Sequence, residues 1–336
     1  MEPNETISPS AYALLMMKSH TSIPYAREAA ALSLATQSAT ATALAAAPKP
    51  TGPSAPPASS PTPGASTPPS ATPDTGGFDV DPVDYWTRVL HFESRYWSIN
   101  QLLENLTATN ILEISSGFSF RGLDLSNKLP VYYIDTDLPN IITGKQRFID
   151  AFKANRSQPS GDPTSQPPNQ PSGSSTPGHY ELSPLNALDP IAFQEIINKF
   201  PPGPLTIVNE GLLVYLDEKE KQQLAANIRK ALLARGGNWI TADIYIRRNE
   251  ANRKNDAWQQ WSKEHGLEEK KFESFQQAET FFQNAGFIKE KEATPDYSSL
   301  TSFPQFLKAT SQEALNELRR PGRPRIHATW SLTPRA

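Results

Sequence analysis

Cysteine is absent from the 336 residues of the sequence. This excludes a disulfide framework, a thiolate zinc site and a cysteine nucleophile. The five histidines show no spacing typical of metal ligands, so we expect no metal site. With no cysteine and no basic segment leading into an apolar run at the start, nothing in the sequence points to secretion. We therefore expect a cytoplasmic protein.

Long hydrophobic runs and blocks of like charge are missing as well. The candidate membrane span, the uncharged residues 29–47, is rich in Ala, Thr and Ser and contains only three leucines. This composition disfavours a membrane span, and we expect no membrane partner. The formal net charge is −3 and no basic block occurs, so nucleic acid is not an expected partner either.

Proline is abundant but unevenly distributed. Of the 32 prolines, 16 fall within residues 48–77 and 155–178, which are otherwise rich in Ser and Thr. Such segments have too little apolar surface to offset the entropy of ordering, so we predict disorder over residues 35–77 and 155–178. The resulting division is a helical cap at residues 1–34, a linker at 35–83 and a main domain at 84–336 that contains an insert at about 155–178. The two proline tracts are also possible docking segments for partners that the sequence does not identify.

Outside these tracts, hydrophobic periodicity predicts strands that alternate with helices. The predicted strands cover residues 110–115, 131–135, 179–182, 205–209, 238–244, 287–291 and 327–332. The predicted helices cover residues 84–106, 138–153, 191–200, 217–235 and 272–284. This alternation predicts an α/β fold with a mostly parallel sheet. Ligands of such sheets bind beyond the carboxyl ends of the strands, so candidate site residues are sought there.

The first predicted strand ends in a glycine turn, in the run ILEISSGFSFRG. Gly117 and Gly122 have the spacing of a phosphate loop, but Leu123-Asp124 follows where that loop needs Lys-Ser/Thr, and no GxGxxG occurs. Glu113, four residues before Gly117, suits a ligand that carries a positive amino group and no pyrophosphate. The alternative is a plain strand–turn–helix with an exposed glutamate.

Two further strand ends carry polar residues. Asp135 and Asp137 lie 18 and 20 residues after Gly117, where a carboxylate can accept both hydroxyls of a ribose. The alternative is that one of them caps a helix and the other is a solvated turn residue. After the third strand, Asn186 or Asp189 with nearby backbone amides can read an adenine edge, although Asp189-Pro190 is also an ordinary helix start.

Glu210 directly follows the fourth apolar strand and precedes a glycine. Burying this carboxylate without a partner would be costly, so it needs a cation. Either a ligand ammonium or an arginine of the chain itself meets that need. No GxSxG nucleophile elbow occurs anywhere in the sequence.

These motifs, in this order, resemble the leucine carboxyl methyltransferase family, and most closely its O-methyltransferases of polyketide biosynthesis. The resemblance is carried by ILEISSGFSFRGLDLS, YIDTDLPNIITGKQRFI, LNALDP, IVNEGLLVYLDEKEKQQLAANIRKALL, GGNWITADI and the opening segment ISPSAYALLMMKSHTSIPYAREAA. It covers nearly the whole chain outside the proline tracts. It implies the class I S-adenosylmethionine-dependent methyltransferase fold, a Rossmann-like, seven-stranded, mostly parallel sheet with helices on both faces and an N-terminal helical cap. It also implies S-adenosylmethionine as cofactor and O-methylation of a carboxylate or hydroxyl of a small molecule.

Carried over position by position, the resemblance implies a set of cofactor-binding residues. Asp137 would bind the ribose, with Asp135 as the second candidate, and Lys18 would bind the cofactor carboxylate. The remaining positions are Arg95, Glu113, Gly117, Asn186, Ala187, Glu210 and Tyr215. Asn186 departs from the acidic residue that is common at that position in the family.

The sequence indicates several candidates for a catalytic base rather than one. Methyl transfer from a sulfonium is an in-line displacement in which alignment supplies most of the rate. A carboxylate acceptor needs no base, whereas a phenol, with a pKa near 10, benefits from one. The candidate bases from the N-terminal helices are His91, His20 and Tyr25. Three alternatives remain open: methylation of a protein C-terminal carboxylate, a catalytically silent cofactor-binding scaffold and, disfavoured by the missing GxGxxG, a nicotinamide oxidoreductase.

Overall fold

The computed structural model describes residues 8–46, 81–104, 109–157, 177–247, 263–318, 322 and 325–335. The strands in these ranges are β1 (Asn110–Ile114), β2 (Tyr132–Asp137), β3 (His179–Pro184), β4 (Leu205–Asn209), β5 (Gly237–Tyr245), β6 (Phe287–Glu292) and β7 (His327–Pro334). The helices are α1 (Ser8–Lys18), α2 (Ala26–Ala46), α3 (Pro82–Leu103), α4 (Arg121–Lys128), α5 (Pro139–Ser157), α6 (Pro190–Asn198), α7 (Glu218–Arg235), α8 (Phe275–Asn284), α9 (Phe303–Ala309) and α10 (Gln312–Leu318).

The strands form one seven-stranded sheet in the order β3-β2-β1-β4-β5-β7-β6. Strands β1 to β5 pair in parallel, and β7 runs antiparallel between β5 and β6. The carboxyl ends of β1, β2, β4 and β5 therefore meet along one edge of the sheet. This topology confirms the predicted fold class, that of the class I S-adenosylmethionine-dependent methyltransferases.

The strands bury side chains on both faces, as their continuous apolar runs predict. On one face, Ile111, Val208 and Ile240 pack against Ile99 and Leu102 of α3. On the other face, residues of the same strands pack against α6, α7 and α8, with contacts that include Leu112, Ile207, Trp239, Phe193, Ile228 and Phe282. Because Glu113 is two residues from Ile111 in β1, its side chain projects towards α3 and α4.

Local capping explains where several helices begin and end. Asp189 accepts hydrogen bonds from the backbone N–H groups of Ile191 and Ala192, which confirms it as a helix start at Pro190. Asp217 and Glu220 form a capping box at the start of α7. Helix α8 begins later than the predicted residue 272, because the Ser274 side chain caps the Gln277 N–H.

The N-terminal cap consists of α1 and α2, which contact each other, α3 and α5. Helix α2 extends to Ala46, twelve residues past the predicted cap boundary at residue 34, so the predicted linker includes a helical part. Residues 47–80, which include the whole first proline tract, and residues 158–176, which form most of the second, lie outside the described residues. Within the described ranges, no helix combines the length and apolarity needed to cross a bilayer.

Candidate functional site

The centre of the site is the carboxylate of Glu210, just beyond the end of β4. Lys18 Nζ, at the end of α1, lies 3.0 Å from Glu210 Oε1. Arg95 of α3 contacts the same oxygen through Nη2 at 2.9 Å and Nε at 3.2 Å. Arg121 Nη2, at the start of α4, donates to Glu210 Oε2 at 3.1 Å. Three elements that are distant in sequence thus place positive charge on one buried carboxylate, and we call these four residues the Glu210 cage.

Arg121 extends the cage to the end of β1. Its Nη1 donates to Glu113 Oε1 at 2.5 Å, and the Tyr133 hydroxyl donates to Glu113 Oε2 at 2.6 Å. The guanidinium lies 4.3 Å from the ring centroid of Tyr96. Glu113 and Arg121 are both fully buried, so the alternative of an exposed glutamate is wrong.

The three cations of the cage outweigh the effect of burial on the pKa of Glu210. Burial alone would raise the pKa of Glu210, but the positive charges of Lys18, Arg95 and Arg121 hold it well below its usual range. Burial lowers the pKa of Lys18, and the two arginines lower it further against the attraction of Glu210. Glu113 is the second carboxylate in direct contact with these cations, and the buried carboxylate of Asp243 acts on Arg95 from β5, so three cations are balanced by three carboxylates.

The turn after β1 brings Gly117 to Asp137 at the end of β2. Ser115 and Gly117 have φ angles of 54° and 50°, a conformation that is unusual for serine. The Gly117 N–H donates to Asp137 Oδ2 at 2.7 Å, and the Leu138 N–H donates to Oδ1 at 2.7 Å. Burial raises the pKa of Asp137 against the effect of these two N–H groups. Each carboxylate oxygen retains capacity for a further hydrogen bond.

The side chain of Asp135, which was predicted as the second candidate for the ribose, is enclosed by the protein. Its Oδ2 lies 2.6 Å from Lys145 Nζ and accepts a 2.6 Å hydrogen bond from the Tyr180 hydroxyl. Lys145 Nζ also donates to Ser116 Oγ in the glycine turn at 3.0 Å. Burial raises the pKa of Asp135 to about 6 despite the attraction of Lys145. Asp135 therefore supports the turn through Lys145, rather than facing a ligand as predicted.

The adenine and fourth-strand candidates lie at neighbouring strand ends. Asn186 is exposed, and its side-chain oxygen accepts from the Leu188 N–H at 3.1 Å. The Ala187 carbonyl accepts from Asn227 Nδ2 of α7 at 3.0 Å. Tyr215 ends a short 3-10 turn, and its carbonyl accepts from Lys270 Nζ at 2.8 Å. These contacts fix backbone positions around the edge and leave the Asn186 amide group accessible.

Asp243 organises the loop that holds Glu210. Its Oδ1 accepts from the Gly211 N–H at 2.6 Å. Its Oδ2 accepts from Asn209 Nδ2 at 2.6 Å and from the Leu212 N–H at 2.7 Å. Burial raises the pKa of Asp243, while Arg95 and the loop N–H groups oppose that rise. The orientation of Glu210 is thus set by a second buried carboxylate on β5.

The three candidate bases have different surroundings. His91 Nε2 lies 2.7 Å from the hydroxyl of Tyr245, which also accepts from Arg95 Nη1 at 2.8 Å, so His91 is connected to the Glu210 cage. The His20 ring packs edge-on to Tyr85 and Trp86 near the start of α3.

Tyr25 belongs to a different environment, the aromatic cluster beside α5. Its ring stacks on Phe152 with a centroid distance of 5.2 Å, and its hydroxyl accepts from Asn127 Nδ2 at 3.1 Å. Among the three candidate bases, His91 is connected by hydrogen bonds through Tyr245 and Arg95 to Glu210.

Sequence reasoning missed Arg121 and Tyr245. Arg121 had a readable signal, since it is the sole basic residue between positions 109 and 127 and occupies the first turn of a helix. A cation there opposes the helix dipole, so it needs a nearby carboxylate. Tyr245 had no such signal, because its partners come from α3, about 150 residues earlier in the chain.

Comparisons with known proteins add little to this geometry. No protein-family model matches the chain, and no curated protein matches it. Similar solved structures include a LepI complex with SAM, at 12% identity and a TM-score of 0.38 over 72% of this chain and 46% of that one. PigF with SAH shows 12% identity and a TM-score of 0.42 over 75% and 59% of the two chains. The mitomycin 7-O-methyltransferase MmcR shows 10% identity and a TM-score of 0.39 over 75% and 57%.

This chain therefore spans about half the length of those proteins. At such TM-scores and identities the similarities carry no conclusion about activity. The resemblance to the leucine carboxyl methyltransferase family accordingly stays a prediction.

Proposed function

We propose that the protein is an S-adenosylmethionine-dependent O-methyltransferase that acts on a small molecule. The observation that carries the proposal is the Glu210 cage at the carboxyl edge of the sheet. In it, a buried carboxylate and the three cations that contact it lie next to the glycine turn. When bound, S-adenosylmethionine supplies an activated methyl group on a sulfonium.

The cage has the charge pattern that a free amino-acid group requires. A zwitterion brings an ammonium, which pairs with Glu210, and a carboxylate, which pairs with Lys18 and Arg95. Lys18 Nζ contacts Glu210 Oε1 as a ligand ammonium would. Moving Lys18 onto a ligand carboxylate vacates one contact on that oxygen, while Arg95 stays on it and Arg121 keeps Oε2 oriented.

The glycine turn and Asp137 fit the nucleoside part of the same ligand. A Cβ added at Gly117 would meet no protein atom within 4 Å, so the backbone there borders open space. Asp137 is 9% exposed and its oxygens retain acceptor capacity, whereas Asp135 is fully enclosed. We assign the ribose to Asp137 and the adenine edge to the region of Asn186 and Ala187.

Helix α1 completes the site from above the strand ends. Leu15 packs in a cluster with Phe118 and Phe148, which anchors the helix that carries Lys18. Glu93 of α3 accepts hydrogen bonds from Ser22 after α1 and from Ser302 before α9. These contacts hold the cap over the cage, where exclusion of water strengthens electrostatic interactions.

Isothermal calorimetry tests the proposal before any acceptor is known. We expect S-adenosylmethionine and S-adenosylhomocysteine to bind and NAD not to bind. Asp137→Ala should weaken S-adenosylhomocysteine binding about 10- to 150-fold, the equivalent of a charge-assisted hydrogen bond of about 1.5–3 kcal/mol. Asp150→Ala, at an exposed carboxylate on α5, is the matched control and should leave affinity unchanged.

Binding of NAD without binding of either adenosyl ligand would reject the proposal. Normal binding of both adenosyl ligands, without transfer of a labelled methyl group to any acceptor, would favour the silent scaffold instead.

A further inference from the structure

Tyr245 is the last residue of β5, beside the strand end that carries Glu210. Arg95 connects the two residues, since its Nη2 contacts Glu210 Oε1 at 2.9 Å and its Nη1 contacts the Tyr245 hydroxyl at 2.8 Å. Tyr245 therefore lies one guanidinium away from the proposed amino-acid site. Both Tyr245 and His91 are half-buried, so neither residue is sealed inside the core.

The hydrogen-bond directions around Tyr245 follow from its partners. Arg95 has only donors, so the Tyr245 oxygen accepts from it. Burial raises the pKa of Tyr245 to about 12 against the opposing charge of Arg95, so the phenol keeps its proton. His91 Nε2 lies 2.7 Å from the same oxygen, so it is placed to accept that proton when His91 is the Nδ1–H tautomer. This arrangement requires neutral His91 with its proton on Nδ1, and it leaves the Tyr245 oxygen one further acceptor position.

The groups that surround the pair favour a neutral imidazole as a proton acceptor. The His327 ring packs edge-on to His91 at 4.8 Å, and its Nε2 donates to the Ala242 carbonyl. Burial lowers the pKa of His327 to about 4, so this neighbour is neutral. Lys271 Nζ lies 5.9 Å from the Tyr245 ring centroid, and Asp243 and Glu210 supply negative charge on the sheet side.

We propose that the methyl acceptor is a hydroxyl group, phenolic or enolic, whose proton leaves through Tyr245 to His91. This inference rests on the proposed methyltransferase function and names the substrate class of the same site. A carboxylate acceptor is already ionised at neutral pH and has no proton for such a pair to receive.

The step balances in atoms and charge. The acceptor oxygen forms a bond to the methyl carbon as the carbon–sulfur bond breaks. The acceptor proton passes to the Tyr245 oxygen, and the proton that Tyr245 held passes to His91 Nε2. The positive charge that the sulfonium loses ends on the imidazolium of His91. Arg95 stays bonded to the Tyr245 oxygen throughout and keeps it aligned.

A spectroscopic readout tests the pair without turnover. In 15N-histidine NMR of the full chain at about pH 8, the signals of His91 are identified by their loss in His91→Gln. We expect His91 to be the Nδ1–H tautomer, with an Nε2 shift that moves in Tyr245→Phe and stays in place in Tyr297→Phe, an exposed tyrosine. An Nε2–H tautomer, or an Nε2 shift insensitive to Tyr245→Phe, would overturn the pair.

Methyl transfer from labelled S-adenosylmethionine tests the substrate class, with phenol, 4-nitrophenol and benzoate as acceptors. We expect transfer to both phenols. Tyr245→Phe should lower kcat on phenol about 100-fold, which is the lower end of the rate enhancement typical of general acid–base catalysis. It should have little effect on 4-nitrophenol, because that acceptor is ionised at the assay pH. Transfer to benzoate alone, transfer to neither phenol, or equal losses on both phenols would overturn the inference. Failure of the proposed function is recognised separately, by absence of S-adenosylmethionine binding in calorimetry.

Discussion

Glu210→Gln should destabilise the protein strongly, although the side chains are nearly the same size. The substitution removes one of two carboxylates that face Lys18, Arg95 and Arg121. The side chains of these four residues are at most 9% exposed, so water cannot replace the lost charge. Removing one partner of a buried ion pair typically destabilises by about 3–5 kcal/mol. We expect a loss of about that size in the free energy of unfolding.

The charge balance also predicts that substitutions of Lys18 and Glu210 destabilise the protein by different amounts. Lys18→Met leaves Glu210 paired with Arg95 and Arg121, so it should destabilise less than Glu210→Gln. In the double variant, loss of the lysine relieves part of the cationic excess. The effect of Glu210→Gln should accordingly be smaller when Lys18 is already Met.

Urea denaturation of the three variants and the wild type at about pH 7.5 measures these differences. Glu181→Gln is the matched control, because the Glu181–Lys199 pair is about one-third exposed and should contribute less than about 1 kcal/mol. The reasoning is refuted if Glu210→Gln destabilises no more than Glu181→Gln, or if the double variant shows simple additivity.

The pH dependence provides an independent check on the same carboxylate. Since the pKa of Glu210 is lowered in the folded protein, its stabilisation is present above the unfolded value of about 4.3. It is lost as the pH falls through the folded pKa. The stability difference between wild type and Glu210→Gln should therefore be constant near neutrality and shrink below about pH 4. A difference that already disappears near pH 6 would contradict the assigned direction of the shift.

Three further predictions follow from the site geometry. Gly117→Val should abolish S-adenosylhomocysteine binding in calorimetry, while the circular dichroism spectrum persists. The valine side chain would enter the open space at the turn and would disfavour a φ of 50°. Unchanged affinity would contradict the turn assignment. Lys145→Met should weaken binding less than Asp137→Ala does, since Lys145 acts on the turn through Ser116, and the reverse order would show that Lys145 or Asp135 meets the ligand directly. Removal of residues 1–34 should eliminate methyl transfer, because that segment carries Lys18; normal turnover of the truncated protein would exclude a role for the cap.

Much of the sheet could be predicted from local patterns. The bounds of β4 agree with the prediction at both ends, because the mostly apolar run LTIVN lies between a proline and an acidic residue followed by glycine. Helix α7 was equally readable from its capping residue Asp217 and its terminal glycine. Helix α2 was cut short because Thr and Ser are weak helix formers, while its many alanines favour continuation to Ala46.

The site was predictable in position but only partly in its contacts. Strand-end carboxylates are visible in the sequence, so Glu113, Asp137 and Glu210 could be named as candidates. Their partners depend on which helices pack over the strand ends, and local periodicity carries no such information. Asp135 shows the limit clearly, since nothing in YIDTD distinguishes the carboxylate enclosed by Lys145 from the one beside the glycine turn.

A crystal structure with S-adenosylhomocysteine tests the central claim most directly. It should show the ligand amino group within hydrogen-bonding distance of the Glu210 carboxylate, with Lys18 moved onto the ligand carboxylate. The ribose hydroxyls should lie on Asp137, with Asp135 still enclosed. A ligand whose amino group lies away from Glu210, with all three cations still paired as in the free protein, would contradict the assignment of the cage as an amino-acid site.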